Sequence, residues 1–302
     1  MTLRHFINST DLSADELRKV LRLSTASIET LGRPLAGLGA ALIFEKPSNR
    51  TRHSMEMAVV QLGGHPVYTR GEEVGLDVRE TVEDITKVMG GYHAILAARV
   101  FDHNIVRRMA DISSVPIVNM LSDRQHPLQG LADVLTMQQQ LGDLAGKTVC
   151  YVGDYNNVAR SLAQTSALLG MHVRLGCPNG YGAEDGELQA LQKLGAASVS
   201  QFDNMKDAVE GAHAVHTDVW TSMGQESETS KREKAFANFQ VSDSVMKNAA
   251  VGAIFMHCLP AHRGMEVAAE VIDGPHSKVF EQAHNRMHAA RGLLAFLMGV
   301  NV

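Results

Sequence analysis

The chain is poor in cysteine, in aromatic side chains and in net charge, and each shortage argues against a class of protein. Three cysteines among 302 residues are an odd number that does not suit a disulfide scaffold, and they indicate free thiols in a reducing compartment. Aromatic residues make up 5% of the chain and the formal net charge is -5. These values argue against a base-stacking surface or a general attraction to nucleic acid. We therefore expect no nucleic-acid partner.

Long apolar runs are also missing. Residues 1–7 contain no apolar stretch of the kind found in a signal peptide, and no run approaches the length of a transmembrane helix. We expect a cytoplasmic protein that does not contact a membrane. With 45% hydrophobic residues, a chain of this length is expected to form about two domains, each with its own core.

Short apolar segments alternate with amphipathic helical patterns along the chain. This alternation predicts an α/β fold with two domains, each a mainly parallel sheet flanked by helices, and an active-site cleft between them. The predicted strands are 40–44, 65–68, 94–98, 115–119, 148–152, 171–175, 214–217 and 252–256. The predicted helices are 13–30, 51–62, 80–90, 104–110, 127–141, 158–169, 187–194 and 285–297.

Five polar residues, Ser48 to Arg52, lie between the first predicted strand and the amphipathic helix that follows it. Ser48 or Asn49 is the predicted N-cap. Free backbone N–H groups at a helix start favour an anion, and arginine forks match phosphate oxygens. The segment therefore predicts a phosphate site, although an ordinary helix start with two solvated arginines remains the alternative.

Other polar residues follow later strands of the first half. Arg99 comes directly after 94–98, and His126 lies just before a predicted helix that carries Gln129 in its first turn. An imidazole near a helix N-terminus is expected to prefer its neutral form, whose N–H can polarise a carbonyl group. The alternative for His126 alone is a capping role.

The second half carries a different set of polar residues after its strands. The turn at 153–158 superficially resembles a dinucleotide-binding turn but lacks two of the three expected glycines. Its Asp154, Asn156 and Asn157 suit a small zwitterionic ligand instead. Asp218 can pair with an ammonium group, and an ordinary cap is the alternative.

Cys258 lies between His257 and Leu259 near the end of the last predicted strand. Zinc is conceivable there, but no paired ligand spacing supports it, so we expect no metal. A nucleophilic thiol would need a base that the sequence does not identify. A buried structural cysteine is the remaining interpretation.

Five motifs, taken together and in order, resemble the aspartate/ornithine carbamoyltransferase family over nearly the whole chain. The motifs are Phe44-Glu45-Lys46-Pro47-Ser48-Asn49-Arg50-Thr51-Arg52, His126-Pro127-Leu128-Gln129, Asp218-Val219-Trp220-Thr221-Ser222-Met223-Gly224-Gln225-Glu226, Met256-His257-Cys258-Leu259-Pro260 and Asn285-Arg286-Met287-His288.

The resemblance implies carbamoyl transfer from carbamoyl phosphate to the side-chain amine of L-ornithine, giving L-citrulline and phosphate without a cofactor or metal. The residues implied to bind carbamoyl phosphate are Ser48, Asn49, Arg50, Thr51, Arg99, His126, Gln129, Cys258, Leu259 and Arg286. Those implied to be catalytic are Arg50, Arg99, His126, Cys258 and Arg286. Those implied to bind ornithine are Asn157, Asp218, Ser222 and Met223.

The family resemblance also implies an organisation. Residues 1–130 and 286–302 would form the carbamoyl phosphate-binding domain, and 131–285 the ornithine-binding domain. The chain would form a trimer or a multiple of trimers, in which a loop of one subunit reaches a neighbouring site. The Leu259-Pro260 bond would be cis. From its polar, glycine-containing composition, the segment 222–228 is expected to be a mobile lid that closes only after amino-acid binding, and an ordinary flexible surface loop is the alternative.

Two departures from the family pattern stand out. Asn49 replaces the usual threonine, but an amide can still donate to phosphate, so we expect binding to survive. The loop 73–80 lacks the usual Gln-x-Gly pattern, which leaves open which residue would reach a neighbouring site.

Three other functions remain open at this point. A carbamoyltransferase acting on another amine such as putrescine is disfavoured by Asp218 and the Ser222-Met223-Gly224 loop, which suit an α-amino acid. A nucleotide-dependent oxidoreductase is disfavoured by the missing glycines. A silent binding paralogue is disfavoured by the presence of Arg50, His126 and Cys258.

Overall fold

The structure is a computed structural model that describes residues 3–221 and 226–301. The chain divides into two compact units. Unit 1 comprises Met1–Leu135 and His284–Val302, and unit 2 comprises Thr136–Ala283. The assignment of one substrate to each predicted domain stays a prediction at this stage. No helix in the described part of the chain is long and apolar enough to cross a membrane.

The described residues form nine β-strands, fourteen α-helices and two short 3-10 helices, Ser9–Asp11 and Glu226–Glu228. The strands are β1 Gly39–Phe44, β2 His65–Arg70, β3 Ile95–Arg99, β4 Ile117–Leu121, β5 Thr148–Val152, β6 His172–Gly176, β7 Ser198–Phe202, β8 Ala214–Thr217 and β9 Ile254–His257. The helices are α1 Ala14–Thr25, α2 Ile28–Leu31, α3 Asn49–Gln61, α4 Gly71–Val74, α5 Val82–Tyr92, α6 His103–Ile112, α7 Pro127–Leu141, α8 Asn157–Leu168, α9 Asp185–Leu194, α10 Met205–Val209, α11 Thr229–Phe236, α12 Asp243–Met246, α13 Ala269–Ile272 and α14 Val279–Leu297.

Unit 1 contains a parallel sheet with strand order β2-β1-β3-β4. β1 and β3 are apolar and buried almost throughout, as expected for strands covered on both faces. The far edge of β4 is extended by the N-terminal segment, in which Phe6 forms a parallel bridge with Val118. The Phe6 side chain is fully buried, so this segment belongs to the core of unit 1.

Unit 2 contains a second parallel sheet, with strand order β7-β6-β5-β8-β9. One hydrophobic cluster of this unit combines Val152, Val215 and Phe255 from three strands with Phe236 from α11 and with Trp220. Together with unit 1, this architecture confirms the predicted fold class of parallel sheets flanked by helices.

In both sheets the strand order reverses next to the first strand of the unit. β1 lies between β2 and β3, and β5 lies between β6 and β8. Ligands of such sheets bind beyond the carboxyl ends of the strands at this switch point. The residues that follow β1 and β3 in unit 1, and β5 and β8 in unit 2, therefore occupy the positions from which a ligand site is expected.

The last helix, α14, packs against the N-terminal part of unit 1. The Arg291 guanidinium of α14 donates to the carbonyl oxygens of Ser24 at 3.0 Å and Ala26 at 3.1 Å and to the Gln61 side chain at 2.9 Å. Gly292 lies so close to Ser24 that a Cβ at this position would be 2.2 Å from the serine Oγ. The first 135 residues and the last 19 thus share one packed unit.

The structure differs from the sequence-based prediction in several elements. The predicted helix 13–30 is two helices, because Ala26 is extended and the Ser27 hydroxyl accepts from the Thr30 N–H to start α2. β7 and five helices of four to eight residues, α4, α10, α11, α12 and α13, were not predicted. The other predicted strands and helices are present; β5, β8 and α7 have the predicted bounds, and the boundaries of the rest are shifted by a few residues.

Candidate active site

The turn between β1 and α3 leads into a helix whose N-terminus has no side-chain cap. Ser48 is the N-cap residue and is extended, with φ -150° and ψ 115°, but its side chain accepts no capping hydrogen bond. Its Oγ instead donates to Thr51 Oγ1 at 3.0 Å. The serine hydroxyl therefore does not engage the first N–H groups of α3, which favour an anion.

Arg99 joins this turn from the end of the neighbouring strand. Phe44 of β1 pairs with Arg99 of β3, and the guanidinium donates to Thr51 Oγ1 at 3.2 Å. The side chain is buried, and burial together with the positive charge of Arg50 lowers the pKa of Arg99 to about 10. The group is still a cation at neutral pH, and a bound anion would offset the cost of burying its charge.

The two arginines of the motif have different surroundings. Arg52 pairs with Glu56 at 2.8 Å and lies over the Tyr68 ring, 3.8 Å from its centroid. Arg50 is exposed, and among the described residues it forms no ion pair. Arg50 is therefore the more available of the two for an external ligand.

His126, Gln129 and Arg286 form a second group in unit 1, and all three are buried. One Arg286 guanidinium nitrogen, Nη1, donates to Gln129 Oε1 at 2.6 Å and lies 3.1 Å from His126 Nε2. An arginine can only donate, so His126 Nε2 accepts and the ring proton of the neutral form is on Nδ1.

The neutral form of His126 is strongly favoured. Burial, followed by the charges of Arg286 and Arg99, lowers the pKa of His126 well below its usual value. The sequence predicted this direction from the helix N-terminus, whereas the structure attributes it to burial and two guanidinium groups. The charge of Arg99 also links the Thr51 group electrostatically to the His126 group.

Asp218 is the centre of a polar group in unit 2, at the end of β8. Its Oδ2 accepts from Asn156 Nδ2 and its Oδ1 from Cys258 Sγ, both at 3.0 Å. Asn156 also caps α8, because its Oδ1 accepts from the N–H groups of Val158 and Ala159. Asn157, the predicted ligand, is the first residue of α8. This geometry fixes a buried carboxylate beside a half-buried thiol.

Arg232 is a prominent residue of unit 2 that sequence reasoning missed. It donates to Asp154 at 2.7 Å, to Glu228 at 3.0 Å and to the carbonyl oxygen of Trp220 at 3.2 Å. Its guanidinium also lies 5.2 Å from the centre of the Tyr181 ring. The only sequence signal was the Glu228/Arg232 spacing of four residues, which is common on exposed helices.

The Cys258 turn is held by His257. The Leu259 N–H donates to His257 Nδ1 at 2.8 Å, and His257 Nε2 lies 3.2 Å from Glu266 Oε1. Leu259 has a positive φ of 57° and the Leu259-Pro260 bond is cis, as predicted.

The described residues contain one close trio of potential metal ligands, Asp218, His257 and Cys258. Both ring nitrogens of His257 already contact protein groups, so a metal would have to displace one of them. The absence of a metal from the mechanism stays a prediction.

The structure brings the predicted residues together within each unit. Unit 1 groups Ser48, Thr51 and Arg99, and also His126, Gln129 and Arg286, while unit 2 groups Asp218 with Cys258. Asn49 is the first residue of α3 and is exposed. Ser222, Met223 and most of the predicted lid 222–228 lie outside the described residues. The ligand roles of all these side chains remain predictions.

Comparison with known proteins identifies the class. Residues 4–139 match the family described as aspartate/ornithine carbamoyltransferase, carbamoyl-P binding domain, and residues 145–297 match its Asp/Orn binding domain. The chain belongs to the aspartate/ornithine carbamoyltransferase family, and the family predicted from the five motifs is confirmed.

Individual relatives within the family are ornithine carbamoyltransferases. The chain is 43% identical to the enzyme of Parafrankia sp. over 99% of this chain and 97% of that protein. It is 46% identical to the Thermus thermophilus enzyme over 88% of this chain and 87% of that protein. The solved structure of the Pyrococcus furiosus enzyme matches with a TM-score of 0.92 and 40% identity, covering 99% of this chain and 98% of that one.

Proposed function

We propose that this protein transfers the carbamoyl group of carbamoyl phosphate to the side-chain amine of L-ornithine, producing L-citrulline and phosphate. The observation that carries the proposal is the grouping of Thr51 with Arg99 at the switch point of the unit 1 sheet, electrostatically linked to the His126–Arg286 pair. The relatives named ornithine carbamoyltransferase favour ornithine over putrescine as the acceptor.

Carbamoyl phosphate would bind in unit 1. Its phosphate would accept hydrogen bonds from Ser48, Thr51 and the first-turn N–H groups of α3, with Arg50 and Arg99 neutralising its charge. Asn49 would donate its amide from the same turn. His126, Gln129 and Arg286 would contact the carbamoyl end, and the remaining N–H of neutral His126 would polarise the carbonyl oxygen. For Cys258 and Leu259, a role in binding carbamoyl phosphate is implied by the family motif.

Ornithine would bind to unit 2. Asp218 is a buried carboxylate that can pair with an ammonium group, and Asn156 holds its orientation. Asn157, Ser222 and Met223 would contact the remaining polar groups of the amino acid, a role implied by the family motif. Arg232 keeps the Asp154 turn and Glu228 in place beside this group.

The reaction needs no redox step. The uncharged side-chain amine of ornithine attacks the carbamoyl carbon, so an N–C bond forms while the C–O bond to phosphate breaks. The leaving phosphate can accept the proton that the amine loses. The arginines and His126 stabilise the charge that develops on the carbonyl and phosphate oxygens, and alignment of two bound substrates supplies much of the remaining rate enhancement.

A citrulline-formation assay tests the proposal. Purified protein would be supplied with carbamoyl phosphate and, separately, with ornithine, putrescine, lysine, aspartate or an ornithine whose α-amine is acetylated. We expect turnover with ornithine at least about a hundredfold above the other amines, since a site built for a polar group rejects analogues that leave it unpaired. Preferred carbamoylation of putrescine, or no turnover with any amine, would overturn the proposal.

We also propose that the protein acts in the cytoplasm as a trimer or a multiple of trimers. The family motifs support the assembly, and the three free cysteines, two of them buried, are compatible with a reducing compartment.

A further inference from the structure

The loop between β4 and α7, residues 122–126, is organised around one buried hydroxyl. Ser122 Oγ lies 2.8 Å from His103 Nδ1, 3.2 Å from Asn119 Nδ2 and 3.3 Å from the Gln125 N–H. The side chains of Ser122 and Asn119 are completely buried, and His103 is 5% exposed. His103 was not among the residues singled out from the sequence.

The chemistry of these contacts fixes the direction of each hydrogen bond. Asn119 Nδ2 and the Gln125 N–H can only donate, so they occupy the two acceptor positions of the hydroxyl. The single hydroxyl proton is then available for His103 Nδ1, which is nearer than the alternative acceptor, the Gln125 carbonyl at 3.4 Å. His103 therefore accepts at Nδ1 and carries its own proton on Nε2.

A neutral His103 agrees with its surroundings. Burial lowers the pKa of His103 from its usual value. The charged groups that face the ring are Asp123 and Arg124 from the loop, Arg107 from its own helix and Asp11 from the N-terminal segment, and the acidic and basic members act in opposite directions. If His103 were protonated at Nδ1, the Ser122 hydroxyl would face three donors but could accept from only two, so the neutral form is favoured.

The same loop is tied to two other elements of unit 1. Asp123 Oδ1 accepts from the backbone N–H of His103 at 2.9 Å, and Asn119 Nδ2 also donates to the Ile7 carbonyl at 3.0 Å. The first residue of α6 and the N-terminal segment thus hold both sides of the Ser122 turn.

The loop leads directly into the candidate site. Ser122 N–H donates to the Gln125 carbonyl at 2.8 Å and closes the turn that ends at His126. The His126 carbonyl then accepts from the Gln129 N–H at 2.9 Å, so it starts α7. A displacement of the turn would move the imidazole of His126 relative to Arg286, with which it shares a 3.1 Å contact.

We propose that His103 is a positioning residue for His126 and acts through the Ser122 hydroxyl. The proposal rests on the function proposed above, and it adds a residue outside the five family motifs. His103 does not contact the proposed substrate position. His103 fixes the Ser122 hydroxyl, and the hydroxyl stabilises the turn 122–126. The turn then sets the position of the His126 imidazole, which is proposed to face the carbamoyl carbonyl.

Four variants of the full-length protein test this chain of contacts. His103→Leu removes the acceptor, and Ser122→Ala removes the hydroxyl. His103→Asn keeps an acceptor oxygen near the position of Nδ1. His65→Asn, at an exposed position on the edge strand β2, is the matched histidine control.

At saturating carbamoyl phosphate, we expect His103→Leu and Ser122→Ala to lower kcat roughly tenfold to a hundredfold, because small displacements of a catalytic group have effects of this size. The KM for ornithine, whose proposed site is in unit 2, is expected to change less than about twofold. The substitutions do not alter interactions that bind ornithine equally in the ground state and the transition state. His103→Asn should keep at least about half of the wild-type kcat, and His65→Asn should equal wild type. The double variant His103→Leu/Ser122→Ala should lose no more than Ser122→Ala alone, because without the hydroxyl the His103 side chain has no contact with the turn left to lose.

Hydrogen exchange of the free proteins gives a readout that needs no activity. The amides of Ser122 and Gln125 should exchange faster in His103→Leu than in wild type, while the amides of β1 are unchanged. Unaltered exchange in the turn, a wild-type kcat for His103→Leu, or additive losses in the double variant would each overturn the proposal. An inactive wild-type protein would instead refute the proposed function, and the exchange comparison would still decide whether His103 holds the turn.

Discussion

At the scale of single residues, the arginines of the unit 1 site differ in whether they already contact other groups of the protein. Arg52 is paired with Glu56 and stacked on Tyr68, and Arg99 donates to Thr51. Arg50 is exposed at the first turn of the same helix. The motif therefore contains one arginine that stabilises the helix surface and one that is available to a ligand.

Arg50→Ala is expected to abolish measurable turnover and to weaken carbamoyl phosphate binding. Loss of a charge-assisted fork at the phosphate removes several kcal/mol of transition-state stabilisation, so kcat/KM should fall by roughly a thousandfold or more. Steady-state kinetics and a titration with carbamoyl phosphate measure both effects. Arg52→Ala is the matched comparison and should lose far less, whereas near-normal turnover of Arg50→Ala would refute the phosphate site.

Asp218→Asn is expected to raise the apparent KM for ornithine about tenfold or more and to spare carbamoyl phosphate binding. The carboxylate accepts from both Asn156 and Cys258, and an amide can accept with only one of its two terminal atoms. It also loses the charge that pairs with an ammonium group. Separate binding titrations check this, with the exposed Asp243→Asn as control. An equal loss for both ligands would place Asp218 outside the ornithine site.

A residue could be predicted from the sequence when its functional group and its place in a motif or after a strand indicated a role. A residue whose role depends on a partner far away in the sequence could not. Arg99 and His126 follow strands and carry functional groups, so their position alone indicated a role. Asn156 was singled out as suiting a small ligand, but its contact with Asp218 was not predicted, and Arg232 is an ordinary helix residue in the sequence. Their importance comes from Asp218 and Asp154, which lie 62 and 78 positions away. His103 was missed for the same reason, since its partner Ser122 is 19 positions away.

At the scale of elements, strand prediction was most accurate where burial is nearly complete. β5 was predicted with its observed bounds, because all five residues of Thr148–Val152 are buried and the run is mostly apolar. β7, with the sequence Ser-Val-Ser-Gln-Phe, lies at the sheet edge, is at most half-buried and has only two apolar residues. Its strand character comes from pairing with β6, which sequence periodicity does not report.

The start of α1 carries a pH-dependent contribution to stability. Glu16 accepts from the Ser13 N–H at 2.9 Å to complete a capping box, and Arg4 Nη1 donates to it at 2.6 Å. The hydrogen bond from Arg4 is the main cause that lowers the pKa of Glu16 to about 2. Because the folded-state pKa lies below the ordinary value of 4.5, the stabilisation is complete above pH 4.5 and is lost as the pH falls toward 2.

Glu16→Gln should therefore lower the free energy of unfolding at pH 7 by about 0.5–1 kcal/mol, since the pair is partly exposed and screened by solvent. Glutamine can still complete the capping box, so the difference isolates the charge. Urea unfolding at pH 7 and at pH 2.5 measures it, and the deficit should shrink at the lower pH. Asp15→Asn, at an exposed site in the same turn, is the control. A deficit that stays constant between the two pH values would exclude the Arg4 pair as its source.

At the scale of the whole molecule, the proposed trimer predicts a particle of three times the chain mass of 32.7 kDa, or a multiple of that mass. Light scattering during size exclusion measures the mass directly at several protein concentrations. The family resemblance implies that a loop of one subunit completes the site of its neighbour. If so, specific activity should fall on dilution, because the trimer dissociates. A monomer with full specific activity would contradict both expectations.

Unit 1 has a consequence for synthesis on the ribosome. Its first 135 residues emerge early, but α14, whose Arg291 and Gly292 contact the segment around Ser24, emerges last. The intervening residues 136–283 take about 7 to 30 seconds to add at synthesis rates of about 5–20 residues per second. Unit 2, although encoded second, is one continuous segment, so all of its residues are present before those of unit 1. Unit 1 can therefore complete its packing only after α14 has been synthesised, so its first 135 residues are made well before their last partner.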